Sequence, residues 1–242
     1  MSRLKTKTVI SILTGLVLCH PFFLRAHDVM GPIAVNNILK SIQKSRLVLN
    51  SRSSQKDQEE AILNIGFQAH TLMKLINMEI QAHGTLQQGL IDLAVRRCRE
   101  MGVGILYFEK TALYFYDFKE FEEYLKIAPQ GQYVDEARFA LIERSSYKHV
   151  AGEKPSEWLL QQVGDKKQFL REYPSFRKRA ELEMLLTLDY YELYFIYRER
   201  RELKKSQQYK EWTLQLCRHI VEAFPDTEAA NFSRNLLIRL GL

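Results

Sequence analysis

The histidine and cysteine residues of this chain fall in no pattern typical of a catalytic or metal centre. His219 and Glu222 lie three residues apart on one face of a predicted helix and could share a metal ion or a proton. A surface or capping pair is the simpler interpretation. The sequence has no His-Glu-x-x-His, Cys-x-x-Cys, Gly-x-Ser-x-Gly or phosphate-loop motif. We therefore expect no metal, no cofactor and no catalytic residue.

Aromatic residues crowd a later segment of the chain and suggest a binding surface there. Tyr190, Tyr194, Tyr197 and Arg201 follow helical spacing and fall along one stripe. Tyrosine and arginine are among the residue types that dominate interface hot spots. The alternative is that the stripe simply packs between neighbouring helices. We predict a partner-binding site for a protein or peptide at these four residues.

The basic residues give no reason to expect a nucleic-acid partner. The whole chain has 35 Lys and Arg against 29 Asp and Glu, but four of the basic residues lie in the first 26 positions. The remainder has 31 against 29, a net charge of +2. The basic clusters at 96–99, 177–179 and 198–205 fit solvated helix faces. An acidic partner segment or anionic lipid headgroups are the alternative.

Apolar residues recur at spacings of three and four along most of the chain, which predicts helices and no strand. The aromatic run 105–116 is included in this prediction as helix. The other predicted helices span 32–49, 57–83, 86–101, 118–128, 133–150, 157–173, 176–205, 207–224 and 228–240.

A six-residue phrase that ends in proline occurs three times in the second half. The copies are Tyr124–Pro129, Phe169–Pro174 and Ile220–Pro225, each with two apolar residues, two variable ones, and a small or aromatic residue before the proline. Alanines follow each copy, at Ala137, Ala180 and Ala229/Ala230. Proline breaks a helix where the chain must reverse, and internal repetition of this kind indicates stacked helical hairpins.

These phrases resemble those of the tetratricopeptide-repeat superfamily, and are similar to bacterial envelope members of it. The resemblance covers about residues 105–242. The marker prolines lie 45 and 51 residues apart, more than the usual spacing of about 34. The resemblance implies an all-α fold of antiparallel hairpins stacked as a right-handed superhelix. It also implies protein binding rather than catalysis.

The first 26 residues have the layout of a secretory signal peptide. Arg3, Lys5 and Lys7 precede the uncharged apolar run 8–19, and Ala26 offers a cleavage position. Retention of this leader, or lipidation at Cys19, are the alternatives, and either would associate the chain with a membrane. We therefore expect a leader at 1–26, a helical region at 27–103 and a repeat region at 104–242.

The expected function is that of an exported, non-catalytic scaffold for protein–protein interaction in the periplasm or cell envelope of a bacterium. One rival is a permanent structural subunit of an envelope assembly. Another is a helical enzyme with a hidden site. A cytoplasmic adaptor follows if the leader is a buried helix.

Two cysteines lie beyond the leader, Cys98 and Cys217. An oxidising compartment permits a disulfide between them, but two buried free thiols fit their helical surroundings better.

Overall fold

The structure, a computed structural model, describes residues 31–83, 88–109, 112–147 and 155–241. Within these ranges the chain is mostly helical, with nine α-helices and one hairpin of two short strands. Residue contacts group the chain into two compact units, residues 1–120 and 121–242. The predicted leader at 1–26 and Cys19 lie outside the described residues. Within these ranges, no helix combines the length and the apolar character needed to cross a membrane.

Three helices build most of the first unit. They are α1 (Pro32–Leu49), α2 (Gln55–His83) and α3 (Gln88–Glu100), and their bounds agree closely with the prediction. Helix α1 packs on both α2 and α3. Their apolar faces form the core, in which Ile42, Ile65 and Ile76 have no exposed surface. Burial of such side chains stabilises the unit by about 1.5–3 kcal/mol each.

The aromatic run that was predicted as helix is a β-hairpin, and this prediction is wrong. Strand β1 (Ile105–Phe108) pairs antiparallel with β2 (Leu113–Tyr116), with Ile105 opposite Tyr116. Gly102 precedes the hairpin with a φ of +72°, which ends the preceding helical turn. Aromatic residues favour strands, and β2 packs on α2 and buries Leu113, Tyr114 and Tyr116. The hairpin belongs to the first unit.

Six of the described helices belong to the second unit, and the first of them begins at Lys119, two residues before the boundary of the unit. They are α4 (Lys119–Ile127), α5 (Val134–Tyr147), α6 (Pro155–Glu172), α7 (Arg179–Glu199), α8 (Leu203–Ala223) and α9 (Glu228–Arg239). Helix α7 is central, because it packs on α6, α8 and α9. The single helix predicted over 176–205 is wrong at its end, because the chain leaves α7 at Arg200 and α8 begins at Leu203.

The three proline phrases adopt the same local structure. In each, the residue before proline donates its N–H to the carbonyl of the first residue of the phrase. These bonds join Ala128 to Tyr124, Tyr173 to Phe169 and Phe224 to Ile220, at 2.8, 2.8 and 3.0 Å. The second residue after the proline then donates its N–H to the carbonyl of the residue that precedes the proline. These bonds join Gly131 to Ala128, Phe176 to Tyr173 and Thr227 to Phe224, at 3.0, 3.2 and 3.1 Å. The repeated phrase is therefore a repeated helix–turn–helix corner.

The side chains of these corners are also equivalent. The first residue of every phrase is buried: Tyr124, Phe169 and Ile220. The alanines that follow the prolines are buried as well, at Ala137, Ala180, Ala229 and Ala230. Small side chains allow the two helices of a corner to approach closely. The prediction that each phrase ends one helix and precedes the next is thus confirmed at all three positions.

The two described cysteines are buried free thiols, as predicted. Burial, with a smaller contribution from the nearby Glu120 carboxylate, raises the pKa of Cys98 to about 12. Burial likewise raises the pKa of Cys217 to about 12. Because the thiolate is the reactive form of cysteine, these side chains are packing residues rather than nucleophiles.

Candidate functional site

The structure places the four predicted binding residues in three different environments. Tyr190 and Tyr197 are buried between α7 and α8. The Tyr197 ring stacks on the Tyr209 ring with centroids 5.4 Å apart and planes 10° apart. Tyr190 lies 5.4 Å from the Trp212 ring. Tyr194 is half-buried, and Arg201 is exposed beyond the end of α7. Two of the four side chains therefore belong to the core of the second unit.

Three half-buried rings and an exposed arginine lie on the adjoining face of α7, and we call them the aromatic ridge: Tyr191, Tyr194, Phe195 and Arg198. The rings of Tyr191 and Phe195 meet edge to face at 4.8 Å, and Tyr194 also lies 4.8 Å from Phe195. The Arg198 guanidinium lies over Phe195 at 5.1 Å and over Tyr194 at 5.7 Å. Arg198 Nη1 also donates to the Tyr194 hydroxyl at 3.2 Å.

The aromatic ridge is thus a pre-arranged cluster in which a cation covers two rings. Cation–π contacts of this kind are worth about 0.5–1 kcal/mol at an exposed site. They favour this arrangement of the side chains, which lowers the entropy lost when a partner binds. Of its four members only Tyr194 belongs to the predicted stripe. The spacing of three and four residues that links Tyr191, Tyr194, Phe195 and Arg198 would have found the others, because it places them on one helical face.

Arg201 occupies a turn position rather than a helical one. Its φ is +60°, the left-handed conformation. Glu202 N–H donates to the Tyr197 carbonyl at 2.9 Å, and Arg201 N–H donates to the Arg198 carbonyl at 3.0 Å. This pair of bonds is the Schellman arrangement that closes a helix, and glycine is the usual residue at its left-handed position. Arg201 therefore ends α7 and does not extend the stripe.

Replacing Arg201 by glycine is expected to leave the fold intact and to raise the free energy of unfolding slightly. Removing the left-handed strain gains about 1 kcal/mol, and the greater freedom of glycine in the unfolded chain offsets part of this. Urea denaturation of Arg201→Gly checks the sign. Arg201→Ala is the control, since alanine keeps the strain. A loss of more than about 1 kcal/mol in Arg201→Gly would indicate a role for the side chain itself.

A buried group of charges joins α6 to α7. Lys166 has no exposed surface, and its Nζ donates to Asp189 Oδ2 at 2.8 Å. Gln162 Oε1 lies 3.4 Å from the same nitrogen. Glu192 is one helical turn beyond Asp189, and its Oε1 atom is buried with no hydrogen-bond partner. We call Gln162, Lys166, Asp189 and Glu192 the charged cluster.

Burial shifts both carboxyl groups of the charged cluster towards the neutral form. It raises the pKa of Asp189 to about 6, although the Lys166 charge opposes this. It raises the pKa of Glu192 to about 8, with a further contribution from the Asp189 charge. Titration near neutral pH is a common property of functional sites. However, catalysis requires contact with a substrate, and Lys166 has no surface that a substrate could reach.

The predicted pair of His219 and Glu222 is not the contact that His219 makes. Its Nε2 atom lies 3.3 Å from Glu183 Oε2 on α7, and the Arg179 Nε atom lies 2.7 Å from Glu183 Oε1. Among the described residues, no group of three or more His, Cys, Asp and Glu side chains is placed to hold a metal ion.

Comparison with known proteins finds no matching family model, no matching curated protein and no matching solved structure.

Proposed function

We propose that this protein is a non-catalytic helical-repeat scaffold that binds another protein in a bacterial cell envelope. The observation that carries the proposal is the three-fold recurrence of the proline corner, with equivalent hydrogen bonds and equivalent buried residues. Repeated hairpins build extended surfaces from neighbour-to-neighbour packing, and such surfaces usually bind proteins. In this proposal the hairpins of the second unit stack as a right-handed, tetratricopeptide-like superhelix.

The aromatic ridge is the proposed contact surface. Its tyrosines, phenylalanine and arginine are residue types enriched at interfaces. It is partly exposed, whereas Tyr190 and Tyr197 are held in the core. A partner segment with apolar side chains and a carboxylate would bury the rings and pair with Arg198.

Changing the aromatic ridge is expected to weaken partner binding without unfolding the protein. The variant Tyr194→Ala/Arg198→Glu removes one ring and reverses the charge. We expect at least about a tenfold loss in affinity, since a hot-spot side chain contributes more than about 1 kcal/mol. Capture from envelope fractions, with quantification of each retained protein, measures the loss. Circular dichroism of the variant checks that its helix content is unchanged.

Arg171→Glu is the matched control, because Arg171 is an exposed arginine on α6 and undergoes the same charge reversal. Capture by this control is expected to equal that of the unchanged protein. Equal capture by the aromatic-ridge variant would contradict the ridge as the contact surface. A stable protein that retains no partner from any fraction would contradict the scaffold proposal and favour the enzyme alternative.

Export is a separate part of the proposal and has its own test. A fusion of residues 1–30 to a reporter that is active only after secretion is expected to be exported. Absence of secretion would contradict the envelope location and favour a cytoplasmic adaptor. Palmitate labelling of the chain and of a Cys19→Ala variant would distinguish lipidation from cleavage.

A permanent structural subunit is the second candidate function. It is favoured by large apolar side chains that stand in solvent, with Ile33 78% exposed and Leu47 65% exposed on α1. Single exposed apolar residues are common, so this observation is weaker than the repeated corner. A permanent subunit is expected to precipitate when it is expressed without its partner, whereas a scaffold is expected to remain folded and dispersed.

A further inference from the structure

The turn between α7 and α8 carries a cluster of positive charge, and we call residues 200–205 the basic turn. Its basic residues are Arg200, Arg201, Lys204 and Lys205, against one acid, Glu202. Glu202 is already paired, because the Lys205 Nζ atom lies 2.7 Å from its Oε2 atom. Arg200 Nη1 donates to the neutral Ser156 hydroxyl at 2.9 Å, a contact that leaves the arginine charge uncompensated.

Two cations of the basic turn are exposed and make no ion pair among the described residues. These are Arg201 and Lys204. The other charged residues beside the turn are Arg198, Glu199 and, next to Ser156 on α6, Glu157. Together they lower the positive charge of the turn by one and do not cancel it. The basic turn is therefore a surface that attracts anions.

An exposed leucine stands among these cations. Leu203 is the first residue of α8 and is 70% exposed, with Arg201 and Lys204 close to it in the chain. A single exposed apolar side chain is common and indicates little by itself. Leucine beside lysine and arginine, however, is the combination found where proteins bind at a membrane surface. There the apolar side chain enters the boundary between headgroups and acyl chains, and the cations attract anionic lipids.

The backbone at Arg201 gives an independent indication that this side chain has a role. Its φ of +60° places the residue in the left-handed region, where glycine would fit without strain. An arginine at such a position lowers the stability of the fold. Strained backbone of this kind is often retained at functional sites. The charge of Arg201 is thus kept at a position where another residue would suit the fold better.

We infer that the basic turn docks on the surface of an anionic lipid bilayer. Leu203 enters the headgroup boundary, while Arg201 and Lys204 pair with lipid phosphates. An acidic protein segment would match the cations, but it offers no apolar layer beneath its charges for a protruding leucine. The attachment is weak and sensitive to salt, because few charges and one apolar side chain take part. This inference does not depend on the proposed scaffold function.

A tryptophan at the tip of the basic turn tests the inference directly. Leu203→Trp in the full chain is mixed with vesicles of equal parts phosphatidylcholine and phosphatidylglycerol whose acyl chains carry bromine, which quenches an inserted indole. We expect additional quenching with these vesicles and none with pure phosphatidylcholine. Ile238→Trp is the matched control, because Ile238 on α9 is 69% exposed. The first 26 residues and the two native tryptophans are common to both variants, so a difference between them reports the turn.

Charge reversal in the Leu203→Trp background gives a second readout. Arg201→Glu/Lys204→Glu is expected to require at least about tenfold more anionic lipid for the same quenching, because each cation near the surface contributes to binding. Arg171→Glu/Arg239→Glu is the control, since it changes the net charge equally at two exposed arginines elsewhere. Circular dichroism checks the fold of each variant.

Three outcomes would overturn the inference. One is equal quenching of Leu203→Trp and Ile238→Trp, and another is quenching that is unaffected by Arg201→Glu/Lys204→Glu. The third is an absence of quenching in Leu203→Trp. If the protein then bound a polyglutamate peptide, and Arg201→Glu/Lys204→Glu abolished that binding, the basic turn would belong to an acidic protein partner instead.

Discussion

Replacing Lys166 by methionine is expected to lower the free energy of unfolding by about 3–5 kcal/mol. The substitution keeps the length of the side chain but removes the charge that faces Asp189 at 2.8 Å. The Asp189 carboxylate then either stays charged without a partner or takes up a proton, and both cost free energy. Urea denaturation at pH 7, followed by circular dichroism, measures the change, because an altered midpoint with an unchanged slope reports stability.

Two further variants show whether the loss comes from the pair itself. Lys166→Met/Asp189→Leu replaces both charges by apolar groups and is expected to recover much of the lost stability. Lys205→Met is the matched control, because Lys205 Nζ lies 2.7 Å from Glu202 but the two side chains are 57% and 38% exposed. This control is expected to cost less than about 1 kcal/mol. Equal losses in Lys166→Met and Lys205→Met would contradict the buried-pair account.

The charged cluster has a consequence for how the helices assemble. The apolar face of α6 could pack against several other helices. Lys166, however, reaches the Asp189 carboxylate only when α6 and α7 adopt one register. A misaligned hairpin would leave an unpaired charge in the core, at a cost of several kcal/mol. The double variant is therefore expected to be stable but less uniform in its packing, with broader side-chain NMR signals than the unchanged protein.

The positions of most helices could be predicted from the sequence. Pro32 begins α1 and the period of three and four runs to Leu49, so the predicted range matched the structure. The corners were predictable because proline acts on the residue beside it, a local effect. The break between α7 and α8 was not, because Arg201 takes a left-handed conformation that glycine usually marks.

The hairpin and the aromatic ridge depend on contacts that a single helix or strand does not encode. β1 and β2 have four residues each, too few to establish a period of two. Their stability comes from α2, through Asn77 and Met73, far away in sequence. Similarly, the spacing of Tyr190, Tyr194 and Tyr197 predicted a common stripe on the helix but not which other helix packs against that stripe. Trp212 and Tyr209 on α8 cover Tyr190 and Tyr197, so the half-buried rings of the aromatic ridge lie on the adjoining face.

The charged cluster makes stability depend on pH through Glu192. Burial raises the pKa of this carboxyl from 4.5 to about 8 in the folded protein. A raised carboxyl pKa means that the folded state binds a proton more tightly than the unfolded state. Its favourable contribution is present at low pH and is lost as the pH rises from about 4.5 through 8. Asp189 titrates at about 6, so the interval from pH 6 to pH 8 belongs mainly to Glu192.

Glu192→Gln is therefore expected to flatten the pH dependence of unfolding. Glutamine resembles the protonated carboxyl in both the folded and the unfolded chain, so the variant is already the more stable protein at pH 6, where Glu192 is ionised only in the unfolded parent. Between pH 6 and pH 8 the unfolded parent keeps Glu192 ionised while the folded parent retains its proton, so the stability advantage of the variant is expected to grow by about 2 kcal/mol across this interval. Chemical denaturation at several pH values between 5.5 and 8.5 measures the difference between the two proteins, which cancels the contribution of histidines elsewhere.

Glu199→Gln provides the matched control, because Glu199 is an exposed glutamate at the end of the same helix. Its stability is expected to follow the parent at every pH. Parallel curves for Glu192→Gln and the parent would mean that Glu192 ionises in the folded protein as it does in the unfolded chain. The carboxyl would then reach solvent, and the charged cluster would reduce to the single pair of Lys166 and Asp189. A flattened curve would instead place an uncharged Glu192 beside that pair at neutral pH.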